Sequence, residues 1–132
     1  MDIKALVKIG IVAGIVMNVC DFVVQGNLLA GMNSGAPFRK IDDVLPYLIL
    51  GDVVAGFVFA WLFLALGAAT GRGAGGGARF GFYAGVFAAF PTFIFMHLLI
   101  EGYAYSLAWI NTVYAVAMYT LLGAVAGALH KR

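Results

Sequence analysis

The chain is poor in charged residues and in cysteine, and each shortage excludes a class of proteins. Charged side chains make up 11% of its 132 residues, whereas a soluble globular chain carries about 25%. The single cysteine, Cys20, allows no intramolecular disulfide and is expected to be a small core residue. The net charge is only +2 and the basic residues lie near the ends of apolar runs, a pattern unlike that of a nucleic-acid-binding protein.

The sequence also lacks the short motifs of metal sites, phosphate loops and nucleophilic enzymes. It contains no HExxH, no CxxC and no paired Glu-x-x-His. The segment 71–79 has glycines and two arginines, but it lacks the GxxxxGK[ST] pattern and follows an apolar helix, not a strand. This segment is expected to be a flexible hairpin. The sequence therefore predicts neither an enzyme nor a bound cofactor.

Long apolar runs are what the chain does contain. The predicted spans are 9–32, 47–69, 79–101 and 103–129. Each is long enough to cross a hydrocarbon core of about 30 Å at about 1.5 Å per residue. The first span is too long for a signal peptide and is expected to remain as an anchor. We predict one all-α domain over residues 1–132, an integral membrane four-helix bundle in the lipid bilayer.

The placement of lysine and arginine predicts the orientation of these spans. Basic residues cluster at one end of the predicted bundle: Lys4, Lys8, Arg72, Arg79, Lys131 and Arg132. Only Arg39 and Lys40 fall at the other end. Because cytoplasmic loops carry the excess of basic residues, both termini are expected in the cytoplasm of a bacterial inner membrane.

Glycines recur near the basic end of the predicted spans. Pairs four residues apart occur at Gly10/Gly14, Gly67/Gly71, Gly81/Gly85 and Gly123/Gly127. Small residues at this spacing let helix backbones approach closely, so the basic end is predicted to be tightly packed. The alternative is coincidence, because the chain has 18 glycines. Pro91, at the centre of the third span, predicts a kink.

The two halves of the chain resemble each other. Residues 8–16 (KIGIVAGIV) resemble residues 79–87 (RFGFYAGVF), and residues 66–71 (LGAATG) resemble residues 122–127 (LGAVAG). These matches predict two helical hairpins in parallel, related by an axis along the membrane normal. The alternative is that the low complexity of the sequence mimics a repeat.

Polar side chains inside the spans are the candidate functional residues: Asn18, Asp21, Gln25, Asp52, His97, Glu101 and Asn111. Asp21 lies near the middle of its span, where a charged carboxylate costs about 2.5–3.5 kcal/mol on insertion scales. Counting inward predicts that Gln25, Asp52, His97 and Asn111 lie at similar depth around a polar cavity that opens outward, with Asp21 deeper. Alternatively, Asp21 makes an interhelical hydrogen bond that only holds the bundle together.

His97 and Glu101 are one helical turn apart. They could ligate a metal, or Glu101 could orient the imidazole. His97 is also the one histidine placed inside a span, where it could be the axial ligand of a haem or chlorin. The alternative is a hydrogen-bonded packing residue, which is the interpretation we adopt.

Two stretches carry a resemblance to a known class of proteins. One is Asp21-Phe22 with Gly26-Asn-Leu-Leu29 in the first span, and the other is the glycine-rich turn that leads into Arg79-Phe-Gly-Phe-Tyr-Ala-Gly85. Over most of its length the chain resembles small bacterial membrane proteins with four spans, a class without an assigned activity. The resemblance implies a fold and no particular chemistry.

Three functions remain open on the sequence alone. The first is a non-catalytic accessory or scaffold subunit of a larger membrane assembly, bound to other membrane subunits or to itself. The second is a small homo-oligomeric transporter or channel that uses Asp21 and Asp52. The third is an electron-transfer protein that holds its cofactor at His97.

Overall fold

The chain folds almost entirely into helices in the computed structural model, which describes residues 2–36 and 40–130. The α-helices are α1 (Ile3–Val23), α2 (Ala30–Asn33), α3 (Ile41–Leu66), α4 (Gly73–Leu99) and α5 (Tyr105–Leu129). A π-helical segment, Val24–Leu28, continues α1, and a 3-10 segment, Gly67–Thr70, continues α3. The described residues contain no strand. The all-α class is therefore confirmed.

Four helical stretches are long and apolar enough to cross a membrane: Ile3–Leu28, Asp42–Thr70, Gly73–Leu99 and Tyr105–Leu129. Large apolar side chains such as Phe87 and Leu99 are more than four-fifths exposed. Such a surface suits lipid and not water, so the chain is described below as a multi-pass membrane protein.

The ends of the helices differ from the predicted ends. α1 begins at Ile3, before the first predicted span, because the Asp2 carboxylate accepts hydrogen bonds from the backbone N–H groups of Lys4 (2.9 Å) and Ala5 (3.1 Å). α4 begins inside the glycine-rich segment that was expected to be flexible, and its residues Gly76 and Gly77 are buried. Arg39, Lys131 and Arg132, which contribute to the predicted orientation, lie outside the described residues.

Helices α4 and α5 pack with their backbones in direct contact. A Cβ atom on Gly77 would overlap the carbonyl oxygen of Gly123, and one on Gly81 would overlap the carbonyl oxygen of Tyr119. A Cβ on Gly127 would similarly overlap the carbonyl oxygen of Gly73. Only glycine fits at these three positions, so this hairpin is held at the closest approach that helices allow.

Helices α1 and α3 form a second close hairpin through Gly10, Gly14 and Gly56. A Cβ on Gly56 would lie 2.8 Å from Cα of Gly14 and 2.9 Å from the carbonyl oxygen of Gly10. The sequence analysis named Gly10 and Gly14 but not Gly56. It named instead Gly67, which belongs to the 3-10 segment, and Gly71, whose φ of 113° belongs to the turn before α4. The second half of the internal match therefore places its glycines differently in the two hairpins.

The hairpins meet along α1 and α5. Ile9, Ala13 and Met17 of α1 and Met118, Leu122 and Ala126 of α5 belong to one buried apolar cluster. Phe59 and Phe63 of α3 add edge contacts to Phe80 of α4, with ring centroids 5.6 Å apart in both pairs. Pro91 lies within α4 without interrupting it, and a kink there stays a prediction.

The packing predicts a sharp difference between two kinds of glycine. We expect Gly81→Ala and Gly56→Ala to lower the free energy of unfolding by about 1–3 kcal/mol, because the added methyl group collides with backbone of the neighbouring helix. Gly51→Ala is the matched control, since nothing lies within 4 Å of the added atom. Unfolding in mixed detergent micelles, followed by circular dichroism, measures all three. Equal stability of the three variants would contradict the close contacts.

Candidate functional site

Two acidic side chains and a tyrosine converge where α1, α3 and α5 meet. The hydroxyl group of Tyr114 in α5 donates a hydrogen bond to the carboxyl group of Asp21 in α1. The carboxyl group of Asp52 in α3 lies within hydrogen-bonding reach of Asp21. Asp21 and Asp52, called the acid pair below, are both partly buried. Three helices thus contribute one polar group each to a single cluster.

The acid pair can hold a proton inside an apolar region. An ionised carboxylate only accepts hydrogen bonds, so a bond between two carboxyl groups requires a proton on one of them. Lys8 in α1 and Lys40 before α3 are 13 and 12 residues from Asp21 and Asp52, a distance of about 18–20 Å along a helix. Neither lysine can neutralise the pair. A proton shared between the two carboxyl groups would lower their charge.

Asn18 connects the same region of α1 to α3. Its amide nitrogen donates to the carbonyl oxygen of Gly14 (3.0 Å) in its own helix and to that of Ile49 (3.4 Å) in α3. The side chain lies one turn from Asp21 toward the basic end. It spans the contact between the helices of the first hairpin and does not bond to the acid pair.

A chain of side-chain hydrogen bonds lies on the other side of the acid pair, one helical turn away. Asn33 Nδ2 donates to Gln25 Oε1 (2.9 Å), Gln25 Nε2 donates to Asn111 Oδ1 (2.7 Å), and Asn111 Nδ2 donates to the Tyr103 hydroxyl (2.9 Å). Burial raises the pKa of the Tyr103 hydroxyl, and the bond from Asn111 partly offsets that effect. These four residues are called the amide chain below.

His97 and Glu101 lie apart from this cluster. The His97 imidazole Nδ1 donates to the backbone oxygen of Tyr103 (2.7 Å). The imidazole ring is tilted by 56° against the Tyr105 ring, and the two ring centroids are 5.1 Å apart. Glu101 is exposed in the connection between α4 and α5. No group of three His, Cys, Asp or Glu side chains with metal-binding geometry occurs within residues 2–36 and 40–130.

The structure groups the predicted polar residues differently from the depth count. Asp52 joins Asp21, which had been placed deeper, and Gln25 joins Asn111. Direct hydrogen bonds join several of these polar side chains, and a cavity around them stays a prediction. Tyr114, Tyr103 and Asn33 were not among the site residues predicted from the sequence. A signal for Tyr114 existed, since it lies one turn from Asn111, but nothing in the sequence identified its partner.

Comparison of the chain with protein-family models, with curated proteins and with solved structures finds no match. The functional argument therefore depends on the residues described above.

The hydrogen bond between Tyr114 and Asp21 predicts a stability effect. We expect Tyr114→Phe to lower the free energy of unfolding by about 0.6 kcal/mol, and by no more than about 1.7 kcal/mol, which are the average and the maximum found for interhelical hydrogen bonds in a membrane protein. Tyr83→Phe is the control, because Tyr83 is 62% exposed on α4. Both variants are compared with the native protein by unfolding in mixed micelles. A Tyr114→Phe variant as stable as Tyr83→Phe would show that the bond adds nothing to stability.

Proposed function

We propose that the protein moves protons across the membrane, with the Asp21–Asp52 acid pair as the group that takes up and releases them. The observation that carries this proposal is the joining of two carboxyl groups from different helices at a tyrosine of the second hairpin. A polar residue that only holds two helices together needs one hydrogen-bonding partner. Two carboxyl groups in contact instead form a site whose charge changes when a single proton binds or leaves.

The position of the pair favours transport over a role at one surface. Asp21 is 7 residues before the end of the stretch Ile3–Leu28, and Asp52 is 10 residues after the start of the stretch Asp42–Thr70. The pair is therefore about 10–15 Å along the helices from the Tyr103 end. Ionisable residues inside membrane spans mark proton and ion routes by default. With the basic end in the cytoplasm, as the lysines and arginines favour, the Tyr103 end faces the cell exterior. The pair then lies in the outer half of the membrane.

The proposal predicts that proton flux depends on both carboxyl groups. In liposomes that contain a pH-sensitive dye, a potassium diffusion potential should drive proton entry through the native protein. We expect Asp21→Asn and Asp52→Asn each to reduce the flux to the rate of protein-free liposomes, because an amide cannot take up the proton. Asp43→Asn is the matched control, since Asp43 is exposed in the first turn of α3.

Two results would reject this function. A native protein that conducts no more than protein-free liposomes would reject proton transport altogether. Unchanged flux in both acid variants would remove the acid pair from the mechanism.

A second candidate is the accessory subunit of a larger membrane assembly, and a groove along α5 favours it. The groove, about 600 Å³ in volume, is lined by Phe82 of α4 and by Thr112, Val113, Val116, Ala117, Thr120, Leu121 and Ala124 of α5. Thr112, Val116, Thr120 and Ala124 repeat every four residues, a spacing at which short side chains let another transmembrane helix approach. This surface lies away from the acid pair, so both functions can be tested separately.

Filling the groove should release such a partner. We expect native mass spectrometry of the protein, gently extracted from its own membranes, to show a complex of fixed stoichiometry that Ala117→Leu dissociates. Ala88→Leu is the control, because Ala88 is exposed on α4 and does not line the groove. A native protein that appears without a partner, or a complex that survives Ala117→Leu, would count against the subunit role.

A further inference from the structure

The contact between α1 and α5 is polar on one side of the acid pair and apolar on the other. Toward the basic end, Met17 faces the cluster that contains Met118 and Leu122, all at least 93% buried. Toward the Tyr103 end, Gln25 and Asn111 follow Asp21 and Tyr114 by one turn on each helix. The residue numbers rise along α1 as they fall along α5, so the two helices are antiparallel. The Tyr114–Asp21 and Gln25–Asn111 hydrogen bonds are therefore neighbours along the contact, one helical turn apart, and are called the polar rungs below. Apart from the Tyr119 hydroxyl, which lies within electrostatic range of both carboxyl groups from the basic end, the polar side chains of this contact lie between the acid pair and the Tyr103 end.

The Gln25–Asn111 bond, which is the polar rung nearer the Tyr103 end, closes the route from that end to the acid pair. Gln25 and Asn111 each use both ends of the carboxamide in the amide chain. A carboxamide has no group that titrates near neutral pH. The amide chain is therefore not a relay for protons, and while the Gln25–Asn111 bond is formed it separates the acid pair from the Tyr103 end.

The backbone that carries Gln25 has an alternative register. Gln25 lies in the π-helical segment Val24–Leu28, where Leu29 N–H donates to the Val24 carbonyl oxygen (2.7 Å) and Asn27 Nδ2 donates to that of Phe22 (2.7 Å). A π-turn holds one residue more than an α-turn. Its conversion to an α-turn rotates the residues on one side of it by about 100°. Gln25 would then leave the contact with α5 while Asp21, in regular α-helix, keeps its place.

Asn33 is a second observation that favours a rearrangement of the amide chain. Its side-chain oxygen Oδ1 is buried and has no hydrogen-bonding partner among the described residues. A buried acceptor without a donor raises the free energy of the closed arrangement. The closed amide chain therefore contains a polar atom that an open arrangement could satisfy.

From these observations we propose that the Gln25–Asn111 bond is the gate between the acid pair and the Tyr103 end. The π-helical segment supplies the movement that opens the gate. The inference builds on the proposed function, because a gate matters only if the acid pair exchanges protons. It adds Gln25 and Asn111 as positioning residues. They bind no proton themselves, and they control when protons from the Tyr103 end can reach the acid pair.

Thiol labelling tests the gate without measuring transport. With Cys20→Ser and Asp52→Cys, the chain carries one thiol, at the acid pair. A membrane-impermeant quaternary-ammonium methanethiosulfonate is added to intact cells and, separately, to inverted vesicles. Ser34→Cys in the Cys20→Ser chain identifies the side on which the Tyr103 end lies, because Ser34 is exposed in the connection after α2.

We expect Gln25→Ala and Asn111→Ala each to speed labelling of the Asp52→Cys thiol from the Tyr103 side by about tenfold, the factor for losing a bond worth roughly 1.4 kcal/mol. Labelling from the basic side should not change. Thr92→Val, at an exposed position of α4, is the matched control for a lost polar group. Asn27→Ala provides a second route, since it removes the side-chain bond to the Phe22 carbonyl oxygen and should speed labelling even if a bridge variant folds poorly.

The outcomes separate the gate from the proposed function. Labelling that is unchanged in Gln25→Ala, Asn111→Ala and Asn27→Ala would overturn the gate, whether or not the protein conducts protons. Equal acceleration from both sides would also overturn it, since the variants would then only loosen the bundle. Faster labelling of the Gln25→Ala and Asn111→Ala variants from the Tyr103 side, together with no proton flux through the native protein, would support the gate and reject proton transport.

Discussion

The need to pair the Asp21 carboxyl group inside a membrane is the constraint that relates the two hairpins, and the hydrogen bond from Tyr114 meets it. A membrane offers no water to satisfy a buried carboxyl group, so Asp21 must find its partners in the protein. It finds one in each hairpin: Asp52 within its own and Tyr114 in the other. Separating the hairpins would leave both Asp21 and the adjacent Gln25 without their α5 partners. The polar rungs therefore set the register between α1 and α5, and apolar packing fills the space toward the basic end.

Composition and the lengths of the apolar runs were sufficient to predict the class of fold. The ends of the helices were not, because they depend on single groups such as the Asp2 side chain that caps α1. Glycine spacing predicted several contact positions, yet it could not separate Gly56, which lies against Gly14, from Gly67, which lies past the end of α3. Spacing alone does not say where a helix stops or which side faces its neighbour.

The polar residues that α1 contributes to the candidate site could be predicted from the sequence, whereas several of their partners could not. A stripe of Asn18, Asp21 and Gln25 on one face of α1 follows from helical periodicity. Their partners depend on how the helices rotate and cross, which a single sequence does not encode locally. The count of depths failed for Asp52 because it assumed that every span starts at the same level. Tyr114 was not predicted as a site residue because a tyrosine in an apolar span is indistinguishable, in the sequence, from one whose ring faces lipid. Only its hydrogen bond to Asp21 identifies its role.

The two types of contact in this molecule differ in how easily they can change. Within each hairpin, glycines bring the backbones together, and any sliding of one helix along the other would force side chains into that gap. Between the hairpins, the half of the contact toward the Tyr103 end consists of separate hydrogen bonds, each of which can break alone. The π-helical segment lies in that half, next to the amide chain and beyond the last glycine contact of α1. A movement that exposes the acid pair therefore needs to displace only Gln25 and its neighbours, and both hairpins can stay intact while it occurs.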